Sequence, residues 1–248
     1  MKTIDIHIGT SVFSFSAPEN WSEVSQEQFE SFILHQDSFD EIKDETLFSV
    51  LPVPHEVQLF LSEIDKYHLK KCIFFLSKMS LISNWVIKKL VLSDGRVATP
   101  PAWDFSNMTW EEFIFADTYA SRQELKVLAS ILFRPDIFTA DENATRRMPF
   151  SVDGTTNRLK LFDGVKEESL MGVYIIFVSA RKRLADKYPR LFIENDGEDE
   201  NANDVDWLKI TRELLGDDFV EEKKLLSLPV NSVLTRLERL IKDNHRNI

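Results

Sequence analysis

The sequence has very little of what most enzymes and nucleic-acid binders need. Its 248 residues include one cysteine, Cys72, so no disulfide and no cysteine zinc site can form within one chain. Only seven glycines are present, and they are scattered. Phosphate-cradling loops need clustered glycine so that backbone can approach the phosphate closely; neither a P-loop nor a dinucleotide fingerprint occurs. Five histidines are spread without ligand spacing: His55-Glu56 begins like a zinc-protease helix, but Leu59 stands where the second imidazole would be. A G-x-S-x-G nucleophile elbow is absent. The longest apolar stretch, 170–180, is too short to span a bilayer, and the N-terminus lacks the apolar core of a signal peptide. The reading is a soluble protein of the cytoplasm of the cell that makes it.

Basic residues are also scarce. The formal net charge is −11, and lysine and arginine occur in short sets such as Lys70-Lys71, Arg146-Arg147 and Arg181-Lys182-Arg183. Phosphate neutralisation needs a clustered basic face, so direct nucleic-acid binding is not expected, nor is a membrane partner. The 41 acidic residues always offer carboxylate pairs, and sequence does not give their spatial separation, so a hydrolase without a motif stays open as a third reading. No catalytic, cofactor-binding or metal-ligating residue is assigned.

What the chain does have is an ordinary globular balance, 43% hydrophobic and 29% charged, with 19 phenylalanines that fit either an aromatic core or an adhesive assembly surface. Alternation of Ile4, Ile6 and Ile8 with Asp5 and His7, then Val12 to Phe15 after Gly9-Thr10, predicts an N-terminal β-hairpin. Ser25 with Gln28 fits a capping box for a helix to His35. Helices are expected over 39–51, 55–64 and 66–79. A second hairpin is expected over 86–98 around Ser93-Asp94-Gly95, with a candidate subdomain boundary near residue 100 at Pro100-Pro101.

Thr109 with Glu112 and Ser121 with Glu124 fit two more capping boxes. The helix after the second places Leu125, Leu128 and Leu132 on one face. Residues 136–156 read as a long loop, and 166–187 as a long helix with an all-round apolar middle that suits a core position. Residues 195–206 are acidic and nearly free of apolar side chains. They fail the calcium-loop pattern, since Asn201 and Trp207 fall at its sixth and twelfth positions, so they read as a linker. The expected organisation is a mainly α main domain over 1–194 with two small β-hairpins, the linker 195–206, and a C-terminal helical segment over 207–248. The last helix carries Val233, Leu237, Leu240 and Ile241 on one face, which could cover its own core or another copy of the chain.

Residues 107–135 read Asn-Met-Thr-Trp-Glu-Glu-Phe-Ile-Phe-Ala-Asp-Thr-Tyr and, further on, Glu-Leu-Lys-Val-Leu-Ala-Ser-Ile-Leu-Phe-Arg-Pro. This resembles phage and prophage tail-assembly proteins of Bacteroidetes-type hosts, in which a "T-F-G-E-F-I…D" helix precedes a "L…L-x-A-x-L-Y-R-P" helix. Trp21 to Gln28, Asn84 to Leu90 and Tyr188 to Phe192 fit the same pattern more weakly. Glu111 stands where those proteins often have glycine, and Phe133 where they have tyrosine. The resemblance implies a non-enzymatic role as a tail assembly chaperone or minor virion component. Its partners would be phage tail or virion proteins, its place the host cytoplasm or the virion itself, and it carries over no catalytic residue. The alternative is a bacterial cytoplasmic adaptor. Trp110, Phe113, Arg134 and Trp207 are the candidate interaction residues. Each aromatic could equally dock its helix on the core, and Arg134 could cap a helix end or pair with an acid such as Asp117.

Overall fold

The computed structural model describes residues 1–35, 42–137, 147–192, 207–215 and 219–244. In chain order, the elements of the first part are β1 (Lys2–Ile8), β2 (Ser11–Ala17), α1 (Gln26–His35), α2 (Asp44–Val50), α3 (His55–Gln58), α4 (Glu63–Cys72), β3 (Leu90–Val91) and β4 (Val97–Thr99). There follow α5 (Trp110–Ser121), α6 (Leu125–Leu132), β5 (Arg134–Pro135), α7 (Val152–Arg158), α8 (Glu167–Lys187), α9 (Trp207–Leu215), α10 (Phe219–Leu226) and α11 (Val230–Asn244). The protein is mainly α with two small antiparallel sheets. It divides into two compact units, 1–88 with 166–179, and 89–165 with 180–248. Helix α8 therefore contributes its first part to one unit and its second part to the other.

In the first unit, β1 and β2 pair with Ile4 opposite Phe15 and Ile6 opposite Phe13. The turn uses Gly9 at φ +60°, a left-handed backbone that glycine adopts without a Cβ clash. Ser25 and Gln28 form the expected capping box: the Gln28 amide donates to Ser25 Oγ at 3.1 Å and the Ser25 amide to Gln28 Oε1 at 2.9 Å. Trp21 is buried edge-on against Phe29, Phe32 and Phe75, with ring centroids 5.5–6.4 Å away, and its indole N–H donates to the Lys78 carbonyl at 3.3 Å. Aromatic edges carry positive charge and faces negative charge, which favours this arrangement.

The helices expected over 55–64 and 66–79 fall differently. Ser62 and Asp65 make a reciprocal capping box that starts α4 at Glu63, so α3 stays a single turn. At its other end α4 stops at Cys72 and gives way to 3-10 turns at Phe74–Ser77 and Met79–Leu81. Of the helix expected over 39–51, residues 44–50 are α2; 36–41 lie outside the described residues.

The helix expected over 166–187 is observed as α8. Val173, Ile176 and Phe177 are fully buried, whereas Val178 is exposed, so its middle is not covered all round. Gly172 lets α8 approach closely: a Cβ there would stand 2.5 Å from Ile87 Cδ1 and 3.1 Å from both Ile33 Cδ1 and Phe29 Cε1.

In the second unit the expected hairpin gains a third strand, giving the order β3-β4-β5. Ala98 pairs with Pro135 and Thr99 with Arg134, so the segment after α6 closes the sheet. The capping box expected at Ser121 does not form. Helix α5 runs through Ser121, whose hydroxyl donates back to the Thr118 carbonyl at 2.9 Å, and Gln123 turns the chain at φ +54° before α6. Leu128 and Leu132 are buried as expected, with Leu125 half-buried. Part of the loop expected over 136–156 is instead α7, capped by Ser151. The C-terminal segment belongs to this unit. The Trp110 amide donates to the Leu228 carbonyl at 2.8 Å and the Val230 amide to the Met108 carbonyl at 3.0 Å, tying the start of α11 to the start of α5. The acidic stretch 195–206 lies outside the described residues.

Gly172→Leu forces a branched side chain against Ile87, Ile33 and Phe29. The expected outcome is a loss of about 1–3 kcal/mol in unfolding free energy, the usual cost of overpacking, read from urea denaturation.

Candidate functional site

The N-terminal turn of α5 concentrates the chemistry of the second unit. Thr109 caps it, accepting from the Glu112 amide at 3.3 Å. In a reciprocal box the Glu112 carboxylate would turn back to the cap. Instead it points into the interior, where Arg134 donates to Oε2 at 2.8 Å and Arg147 donates to Oε1. All three side chains are buried, none more than 4% exposed. The backbone brings the two arginines together: Arg134 lies in β5, Asp136 bridges to Arg147, and the Met148 amide donates to the Pro135 carbonyl at 3.0 Å. Phe150 sits under the Arg134 guanidinium, 5.9 Å from its ring centroid.

Arg158 at the end of α7 is the third buried arginine. It donates to neutral acceptors, the Ser130 carbonyl at 3.3 Å and Thr155 Oγ1 at 3.2 Å. Burial lowers the proton affinity of all three guanidinium groups, and Arg134 is pushed down to about 10. Glu112 opposes that fall at each of them, while Arg147 depresses both Arg134 and Arg158, and Arg158 also depresses Arg134.

The four candidate interaction residues all fall in this unit, and all are buried. Trp110 stacks on Phe113 at 5.5 Å, and Trp207 meets Trp110 edge-on at 5.3 Å and Phe113 at 5.9 Å. The Trp110 indole donates to Thr211 Oγ1 at 3.2 Å, and the Trp207 indole to Asp117 Oδ2 at 2.7 Å. The acid that pairs with Arg134 is Glu112. Asp117 is taken by Arg181, whose Nε donates to Oδ1 at 2.5 Å. Arg147 and Arg158 had no signal in the sequence, because nothing local distinguishes a buried arginine from an exposed one.

The first unit carries the exposed feature. Leu59, Phe60, Ile64, Tyr67 and Phe74 are 52–72% exposed, a run of large apolar side chains along α4 and the turns on either side of it. Beside them is an open groove of about 580 Å³ whose walls include Ile42, Tyr67 and Phe74, with Lys66, Lys70 and Lys71 along it. Lys71 covers the Tyr67 ring at 4.5 Å. Asp44 fixes the groove wall by accepting from Lys66 at 2.8 Å and Lys70 at 2.7 Å, and these bonds hold its carboxyl below the usual value of 3.8.

Among the described residues, no group of three or more His, Cys, Asp or Glu side chains could hold a metal ion, and no helix is long and apolar enough to cross a membrane. No known protein family, curated protein or solved structure matches this chain.

Two outcomes follow from the ion pairs. Glu112→Gln leaves two buried arginines without their carboxylate, and the expected loss is about 3–5 kcal/mol of unfolding free energy. Glu63→Gln, at an exposed pair with Lys66, changes it by less than about 1 kcal/mol in the same urea titration. Because the Asp44 carboxyl is depressed, its contribution is complete above the unfolded-state value and disappears as pH falls through the folded-state value. Asp44→Asn is therefore expected to destabilise the protein at neutral pH and to lose that deficit below about pH 4, measured as the urea midpoint against pH.

Proposed function

We propose that the chain is a non-enzymatic assembly protein that works by protein–protein contact through the exposed apolar face formed by α4 and the turns on either side of it. The observation that carries this reading is the run Leu59, Phe60, Ile64, Tyr67 and Phe74, left in solvent by a protein that buries Trp21, Trp110 and Trp207. Contiguous exposed apolar surface beside a polar rim is characteristic of interaction sites. Aromatic and long aliphatic side chains are also the usual anchors of binding energy. Asp44 and Glu63 take up Lys66 and Lys70 in the groove wall, so the groove favours a partner segment that is chiefly apolar.

The resemblance carried by residues 107–135 supports phage or prophage tail assembly as the setting. The chain would act as a tail assembly chaperone, covering a hydrophobic segment of a tail protein in the host cytoplasm, or as a minor virion component. Covering such a segment requires burial of area rather than bond chemistry, which suits a protein whose most exposed feature is apolar.

Co-expression with a candidate tail-tube and a candidate tape-measure protein, followed by size-exclusion chromatography, tests this. The full chain is expected to co-elute with one of them. Phe60→Ser with Tyr67→Ser, both at exposed positions, is expected to keep its melting temperature and to lose at least about tenfold in affinity, one to two anchor side chains' worth. A chain that elutes alone from both candidates overturns the reading.

A further inference from the structure

Among the described residues, the arginine cluster of the second unit has more positive charge than its neighbours neutralise. Arg134, Arg147 and Arg158 are each at least 94% buried, and Glu112 is the carboxylate that acts on all three. Its two oxygens are taken by one nitrogen of Arg134 and one of Arg147. Among the described residues, Nε and Nη1 of Arg134, Nε and Nη1 of Arg147, and Nε of Arg158 are buried without an acceptor. Buried polar groups are almost always bonded, and a guanidinium fork is shaped for the oxygens of carboxylate or phosphate. Two surplus charges with five free donor atoms match a small dianion that has several acceptor oxygens.

We propose that this cluster is a binding site for a tetrahedral oxyanion, phosphate or sulfate, held by Arg134, Arg147 and Arg158 beside Glu112. Burial selects the size of the ligand. A nucleic-acid backbone is bound by arginines that reach solvent, whereas these are enclosed, so the site takes a free ion rather than a polymer. Glu112 takes Nη2 of both Arg134 and Arg147, leaving Nε and Nη1 of each for the ion. Arg158 has only neutral partners and completes the charge balance. The site is independent of the contact face around α4, and either can fail without the other.

Acid release and a molybdate assay on the purified full chain count phosphate retained through purification. Isothermal titration with inorganic phosphate, at ionic strength matched with chloride, then reads binding to any unfilled site. One phosphate per chain is expected from the two measurements together, with sulfate competing for it. Arg158→Gln is expected to weaken binding about tenfold or more, the usual effect of losing a hydrogen bond to a charged group. Lys71→Gln, on the exposed groove, is expected to leave it unchanged. If Arg158→Gln does not fold, the wild-type measurements decide alone. No retained phosphate and no saturable binding beyond chloride overturns the proposal, as does equal binding by wild type and a folded Arg158→Gln.

Discussion

The buried carboxylate of Glu112 organises the charge cluster of the second unit. Glu112 sits one turn into α5, where its backbone amide is held by Thr109, and its side chain joins Arg134 of β5 to Arg147 on the neighbouring strand segment. Removing such groups from water costs several kcal/mol per ion, so the arrangement holds only while both oxygens are bonded and the three side chains stay packed. The same helix, turned about its axis, presents Trp110, Phe113 and Asp117 to Trp207 and Thr211 of α9. One short helix thus ties a charge cluster to an aromatic cluster, and the C-terminal helices to the centre of their unit.

The first unit manages its aromatics differently. Trp21 gathers Phe29, Phe32 and Phe75 around it, and Gly172 lets α8 come close to Phe29 and Ile33. Helix α3 buries Val57, but the turn after it and the outer side of α4 leave Phe60, Ile64 and Tyr67 in solvent. Among the described residues the phenylalanine excess is spent largely on an aromatic interior in each unit, while Phe60 and Phe74 stay exposed. The proposed contact function draws on that face; the four candidate interaction residues, Trp110, Phe113, Arg134 and Trp207, are buried.

Local chemistry was legible in the sequence wherever a side chain acts on its own backbone. Ser25 with Gln28, the alternating isoleucines of β1 and the extent of the helix over 166–187 each depend on residues close in sequence, and they appear as read. The third strand could not be read, because β5 is two residues long and is created by pairing with β4 across 34 intervening positions. The break near residue 60 was missed because Ser62-Asp65 is a capping box with aspartate in place of the usual glutamate or glutamine. Ser121 with Glu124 has the right spacing, but α5 continues through the serine and the box is never needed. Glu112 shows the same limit at the candidate site. Its spacing from Thr109 identified a helix start, while the partners that take its carboxylate are 22 and 35 residues away.

The contact claim is tested most directly by amide hydrogen exchange on the full chain, alone and mixed with the candidate tail-tube or tape-measure protein. The account predicts slowed exchange over 59–74 on mixing, with the amides around Glu112, Arg134 and Trp207 unchanged. Slowing confined to the second unit, or no change anywhere, would contradict it.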